Sequence, residues 1–203
     1  MFYEKRIYKS SDLKILRGSE GNTFKKRLSY QLKTHKLLKI RRGIYIVADQ
    51  LYNLEESDYR MVANSIYIPS YISFETVLRD EGVIFQQYVS IFVACKYKKS
   101  LTIPIHPDLE PVKIEWLKMP EELLTNPIGI QTKDGYSRAT LERALCDILW
   151  KYENLYLDNL NKNMIRLPRL IEIAQFYDMY KPGFKKALFA KLKVYGITTT
   201  LSA

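Results

Sequence analysis

Hydrophobic spacing predicts a helix, a short break and a two-stranded hairpin within Asn22–Val47, NTFKKRLSYQLKTHKLLKIRRGIYIV. At about 100° per residue, Phe24, Leu28, Gln31 and Leu32 fall on one stripe, which is the core side of a helix. The opposite face holds Lys26, Ser29, Tyr30 and Lys33, with Arg27 and Thr34 at one margin and Lys25 at the other. Leu37–Ile40 ends in apolar–polar alternation, and Gly43–Val47 is β-branched and aromatic, as strands require. Arg41-Arg42-Gly43 supplies the turn between them, because glycine takes a positive φ without strain.

Elsewhere the pattern is mixed. Arg6-Ile7-Tyr8 suits a third strand beside the hairpin. Ser10 or Ser11 caps a short helix through Arg17, with Leu13 and Leu16 facing inward and Gly18 as its stop. Ser19-Glu20-Gly21 is a turn, and Asn22 or Thr23 caps the next helix. Asp49–Ser57 reads as a polar linker and Asp58–Ile66 as a helix. Pro69 is a break, and Ser70 caps a helix that turns Phe74, Val77 and Leu78 inward and stops at Gly82. Val89–Cys95, Leu101–Ile103, Val112–Lys118 and Ile128–Gln131 have strand character, with Asp134-Gly135 as a turn. Thr140–Lys151 is a strong helix, with Leu141, Ala144, Leu145, Ile148 and Leu149 on its apolar side. Arg143 and Asp147 are spaced as an i,i+4 surface pair. Leu167–Tyr177 and Gly183–Tyr195 read as amphipathic helices. The expected fold class is α+β: an N-terminal winged helix-turn-helix over residues 1–48, then a domain over 49–203 with a small, mostly antiparallel sheet and several helices. Met1–Lys9 leaves little room for the extra leading helix that winged helices usually have. Either that stretch replaces it in extended form, or the body of the protein covers the exposed side.

Charge sharpens this picture. The 203-residue chain has a formal net charge of +10. Met1–Ala48 carries 13 Lys+Arg against 3 Asp+Glu, whereas Asp49–Ala203 carries 19 of each. A basic module joined to a neutral body points to a polyanion partner for the first part alone. A basic helix face offers cations for phosphates and polar groups for base edges, and arginines at a hairpin tip reach the adjacent backbone or minor groove. Lys25, Lys26, Arg27, Ser29, Tyr30, Lys33, Arg41 and Arg42 are therefore the candidate DNA-binding residues. The plainer alternative is a solvated basic helix on an ordinary domain.

Chemistry for catalysis is sparse. His35 ends the basic helix and His106 lies between prolines, and no Cys/His spacing suits zinc. No phosphate-binding glycine loop, nucleophile elbow or Asp-x-Asp pair is present. Asp80-Glu81 and Glu121-Glu122 read as surface charge. A non-enzyme that needs neither cofactor nor metal is expected. Cys95 and Cys146 lie in apolar runs and read as buried reduced thiols. MFYEKRIYKS lacks the apolar core of a signal peptide, and no apolar stretch approaches the ~20 residues of a membrane span, so a cytoplasmic protein is expected. Tyr177, Tyr180 and Tyr195, with the last helix's lysines, read equally well as a protein-binding surface or as packed tyrosines on a solvated helix.

Three ordered stretches carry a resemblance: LLKIRRGIY over residues 37–45, PSYISFETVL over 69–78 and YSRATLERALCD over 136–147. Together they resemble the AbiEi-type antitoxins of type IV toxin–antitoxin systems, which serve in bacterial abortive infection of phage. The resemblance spans Ser10 to about Leu149. It implies an N-terminal winged helix that binds inverted repeats upstream of its own operon and represses it. It also implies a C-terminal domain that neutralises a nucleotidyltransferase-like toxin. That toxin carries a Gly-Ser motif followed by paired aspartates; here Gly18-Ser19 has no such pair after it, which fits the antitoxin. The DNA-binding role maps onto Lys25, Lys26, Arg27, Ser29, Tyr30, Lys33, Arg41 and Arg42. Two other readings stay open: a DNA-binding regulator with a partner- or ligand-sensing body and no toxin, and a nucleic-acid enzyme whose site matches no known motif.

Overall fold

A computed structural model describes residues 6–18, 20–86, 90–103, 111–152 and 157–198. His106 and Ser19 lie outside the described residues. The chain is a mixed α+β protein that divides into two compact units, 1–62 with 102–112, and 63–101 with 113–203. The first unit thus runs past Ala48. Asp49–Ser57, expected as a linker, is ordered as a 3-10 helix over Ala48–Asn53 and the start of helix α3 (Glu56–Ile66).

In the first unit β1 (Ile7–Lys9), β2 (Leu37–Arg41) and β3 (Ile44–Val47) form an antiparallel sheet in the order β1-β3-β2. The expected third strand is therefore present. All four residues of the central strand β3 are buried, so both faces of this pleated strand are covered. Tyr45 and Val47 join Tyr8, Leu13, Phe24 and Leu37 in one apolar cluster. Two helices, α1 (Ser10–Arg17) and α2 (Gly21–Lys33), supply Leu13 and Phe24 to it. The cap of helix α1 is Lys9, one residue before the expected Ser10 or Ser11, and the Asp12 carboxylate accepts a bond from the Lys9 N–H at 3.1 Å. It ends at Gly18, in the left-handed conformation. Leu16, expected to face inward, is 44% exposed. Of the two leucines only Leu13 joins the apolar cluster. The Arg6 guanidinium closes the unit by bonding Asp58 and Glu55, each at 2.8 Å.

A six-stranded sheet, most of whose residues belong to the second unit, has the order β6 (Lys99–Ile103), β7 (Val112–Lys118), β5 (Ser90–Cys95), β4 (Ser70–Ile72), β9 (Tyr136–Ala139) and β8 (Ile130–Lys133). It is larger and more mixed than expected. β4–β5 and β8–β9 are antiparallel, whereas β4–β9 and β5–β7 are parallel. The parallel pairs need long connections, which local alternation does not encode. Ser70, expected as a helix cap, instead opens strand β4, and the helix begins only at Glu75 (α4, Glu75–Asp80) after Phe74 at φ 55°. A short helix α5 (Glu121–Thr125) follows β7. Helix α6 (Leu141–Lys151) is capped by Thr140, whose hydroxyl accepts from the Arg143 N–H. Helices α7 (Leu167–Asp178) and α8 (Phe184–Leu192) match the predicted amphipathic pair. Cys95 and Cys146 are both buried and unpaired with each other.

Arg143 and Asp147 are not a surface pair: both are 0% exposed. Nearly every position of α6 faces protein, since Leu141 to Leu149 are all buried. Gly129, at φ 73°, lies against this helix, and a Cβ there would come within 2.8 Å of Arg143 Cβ and Ile173 Cδ1. Gly129→Ala is expected to destabilise the fold by roughly 2–3 kcal/mol, from overpacking combined with a left-handed backbone. Denaturant titration checks this; a midpoint equal to wild type would show that Arg143 and Ile173 can yield at no cost.

Candidate nucleic-acid interface

Helix α2 is built from residues with good helix propensity, chiefly Lys, Arg, Leu and Gln, and it begins with Gly21 rather than with the expected Asn22 or Thr23 cap. Its core stripe is as the spacing predicts. Phe24 and Gln31 are buried, and Leu28 and Leu32 pack partly buried against the apolar cluster. Lys14 extends its ammonium to 5.8 Å from the Phe24 ring centre, a cation–π contact that ties α1 to α2. The helix ends where the Thr34 hydroxyl donates to the Tyr30 carbonyl at 3.0 Å, and His35 turns the chain at φ 53°.

With that stripe inward, Lys25, Lys26, Arg27, Ser29, Tyr30 and Lys33 are all exposed. Five of them, Lys25, Lys26, Ser29, Tyr30 and Lys33, line one open depression of about 400 Å³. No acidic residue occurs from Gly21 to Ala48. The cations of this stretch therefore have no acidic neighbour in sequence, and the fields of the exposed ones add.

The hairpin places the remaining two candidates unequally. Arg41 ends β2 opposite Ile44 and is half-buried, with intramolecular contacts of its own, whereas Arg42 is exposed in the turn. Gly43 completes the two-residue turn at φ 87°, and its carbonyl accepts from the Ser10 N–H at 2.9 Å, which anchors the hairpin turn to the start of α1. Lys36 and Lys39 are also exposed here. Neither was among the candidates, although the unbroken run without acids was the signal for both.

A second polar cluster lies inside the other unit. The Asp147 carboxylate accepts from Ser73 Oγ at 2.6 Å, from Tyr71 Oη at 3.1 Å and from Tyr177 Oη. Arg143 Nε stands 3.6 Å from it. The same guanidinium donates to Tyr71 Oη at 3.0 Å, to the Ile128 carbonyl at 2.8 Å and to the Leu123 carbonyl. Burial raises the Asp147 carboxyl above the ordinary aspartate value, opposed by Arg143 and the three hydroxyls. Burial likewise holds the Tyr71 and Tyr177 hydroxyls in their neutral, donating form. Tyr177 is fully buried, so it belongs to this cluster and not to an outer surface with Tyr180 and Tyr195. The network faces no solvent and its partners are each other, so its role is to hold β4, α6 and α7 together.

Among the described residues no group of three or more His, Cys, Asp or Glu could hold a metal ion, and no helix is long and apolar enough to cross a membrane. The outward face of α2, exposed and basic, is a candidate contact whose chemistry suits a polyanion. No family model and no curated protein matches the chain.

Proposed function

We propose that the chain is the antitoxin of a type IV toxin–antitoxin abortive-infection system, and that it represses its own operon by binding operator DNA. The observation that carries the DNA part is the exposed face of α2, with its uncompensated Lys25, Lys26, Arg27 and Lys33 around Ser29 and Tyr30. The order α1, turn, α2, hairpin supports reading the first unit as a winged helix-turn-helix, with α2 in the major groove and Arg42 at the wing tip. The antitoxin part rests on the ordered resemblance of the LLKIRRGIY, PSYISFETVL and YSRATLERALCD stretches. In this reading the protein works in the cytoplasm without catalysis, cofactor or metal, and its second unit neutralises a nucleotidyltransferase-like toxin.

A gel shift of the full chain on its own upstream DNA against scrambled DNA, at about 50 and 200 mM salt, tests the repressor part. Specific binding that survives the higher salt is expected. Equal, salt-labile binding to both DNAs would reduce the basic face to a polyanion patch. If a nucleotidyltransferase-like gene adjoins its own, co-expression of the two tests the antitoxin part. Growth arrest that the chain fails to relieve would leave a DNA-binding regulator without a toxin.

A further inference from the structure

Tyr30 stands out among the outward residues of α2: it is 63% exposed, aromatic and neutral, and set among cations. From the buried stripe of Phe24, Leu28, Gln31 and Leu32, the outward pole of the helix lies near Lys26 at about 100° per residue. Tyr30 falls roughly 35° from that pole, and Lys33 roughly 25° on its other side. Lys25 and Arg27 fall roughly 100° away on opposite flanks. A helix that fills a major groove about 12 Å wide turns its pole to the base edges and its flanks to the two phosphate walls. On that geometry Lys25 and Arg27 are placed for phosphates, and Lys26, Tyr30 and Lys33 near the pole are placed for base edges.

A phenol ring is a poor phosphate ligand beside lysines, which supply the same bond with charge. What a ring offers at the floor of the groove is apolar area. The major-groove edges of the four bases present one apolar group, the thymine 5-methyl. Resting on the DNA-binding reading above, we propose that Tyr30 is a specificity-determining residue that packs its ring on a thymine methyl in the major groove, while Lys25 and Arg27 hold the flanking phosphates.

The test is selection of DNA sites from a randomised duplex library by the full-length chain, by Tyr30→Ala, by Tyr30→Phe and by Lys25→Ala. Because Tyr30 and Lys25 are exposed, truncating them opens no core cavity. Wild type and Tyr30→Phe are expected to enrich one motif with a required thymine. Tyr30→Ala is expected to lose the preference at that base alone, and Lys25→Ala to keep the whole motif with weaker binding. Replacing that thymine by deoxyuridine should weaken wild-type binding about fourfold, the worth of one buried methyl group, and leave Tyr30→Ala unaffected. If Tyr30→Ala enriches the wild-type motif unchanged, or responds to deoxyuridine as wild type does, the assignment falls while DNA binding stands. If the wild-type chain enriches no motif, the operator-binding reading falls, and the assignment with it.

Discussion

Asp147→Ala is expected to lower the unfolding free energy of the chain by about 3–5 kcal/mol, the cost of removing one partner from a buried ion pair. The loss is large because it strands several groups at once. Arg143 keeps its charge at 0% exposure, with Tyr71 and two carbonyls as its remaining partners. Ser73, Tyr71 and Tyr177 each lose the acceptor of a buried hydroxyl, and an unsatisfied buried donor costs about 1–3 kcal/mol. Those three hydroxyls sit on β4, the turn after it and α7, so the damage spreads over the second unit. Urea titration followed by tryptophan fluorescence reads it out, since Trp116 and Trp150 both belong to that unit. A loss within about 1 kcal/mol, the range of an exposed pair, would contradict the buried network.

The second large effect concerns DNA. Replacing Lys25, Arg27 and Arg42 together by alanine is expected to flatten the dependence of log affinity on log salt by about 2.7 units, at about 0.9 per phosphate contact. The affinity gap between wild type and variant should then narrow about 40-fold between 50 and 200 mM salt. All three side chains are exposed, so the folded unit should tolerate the change. Fluorescence anisotropy on the upstream duplex over that salt range measures both slopes. Parallel lines would remove these cations from the phosphate contacts, whatever the absolute affinities.

The two effects also differ in how far the sequence revealed their residues. Helix α2 was legible because a helix with one buried stripe writes its period into the chain, and Phe24, Leu28, Gln31 and Leu32 obey it. The exposure of Lys25, Lys26, Arg27, Ser29, Tyr30 and Lys33 follows from the same period. Arg143 and Asp147 were misread because the i,i+4 spacing of opposite charges is identical on a solvated face and inside a core. The distinction comes from α7 and β4, which close over them with Tyr177 and Tyr71, and those contacts are 30 and 76 residues from Asp147 in the chain. Ser70–Ile72 was misread for a related reason. Its pairing partners Val93–Cys95 and Arg138 are remote, and a three-residue strand is too short to show alternation. Arg41 passed as a free tip residue because a turn signal says where the chain reverses and not which of two arginines the fold retains.

The sheet of the first unit has the order β1-β3-β2, so both outer strands pair only with β3. Birth order follows from this. The last of the three strands to be synthesised is the central one, and neither β1 nor β2 has its partner until Ile44–Val47 is made. The basic helix α2 is thus complete before the sheet that packs its inner stripe can form.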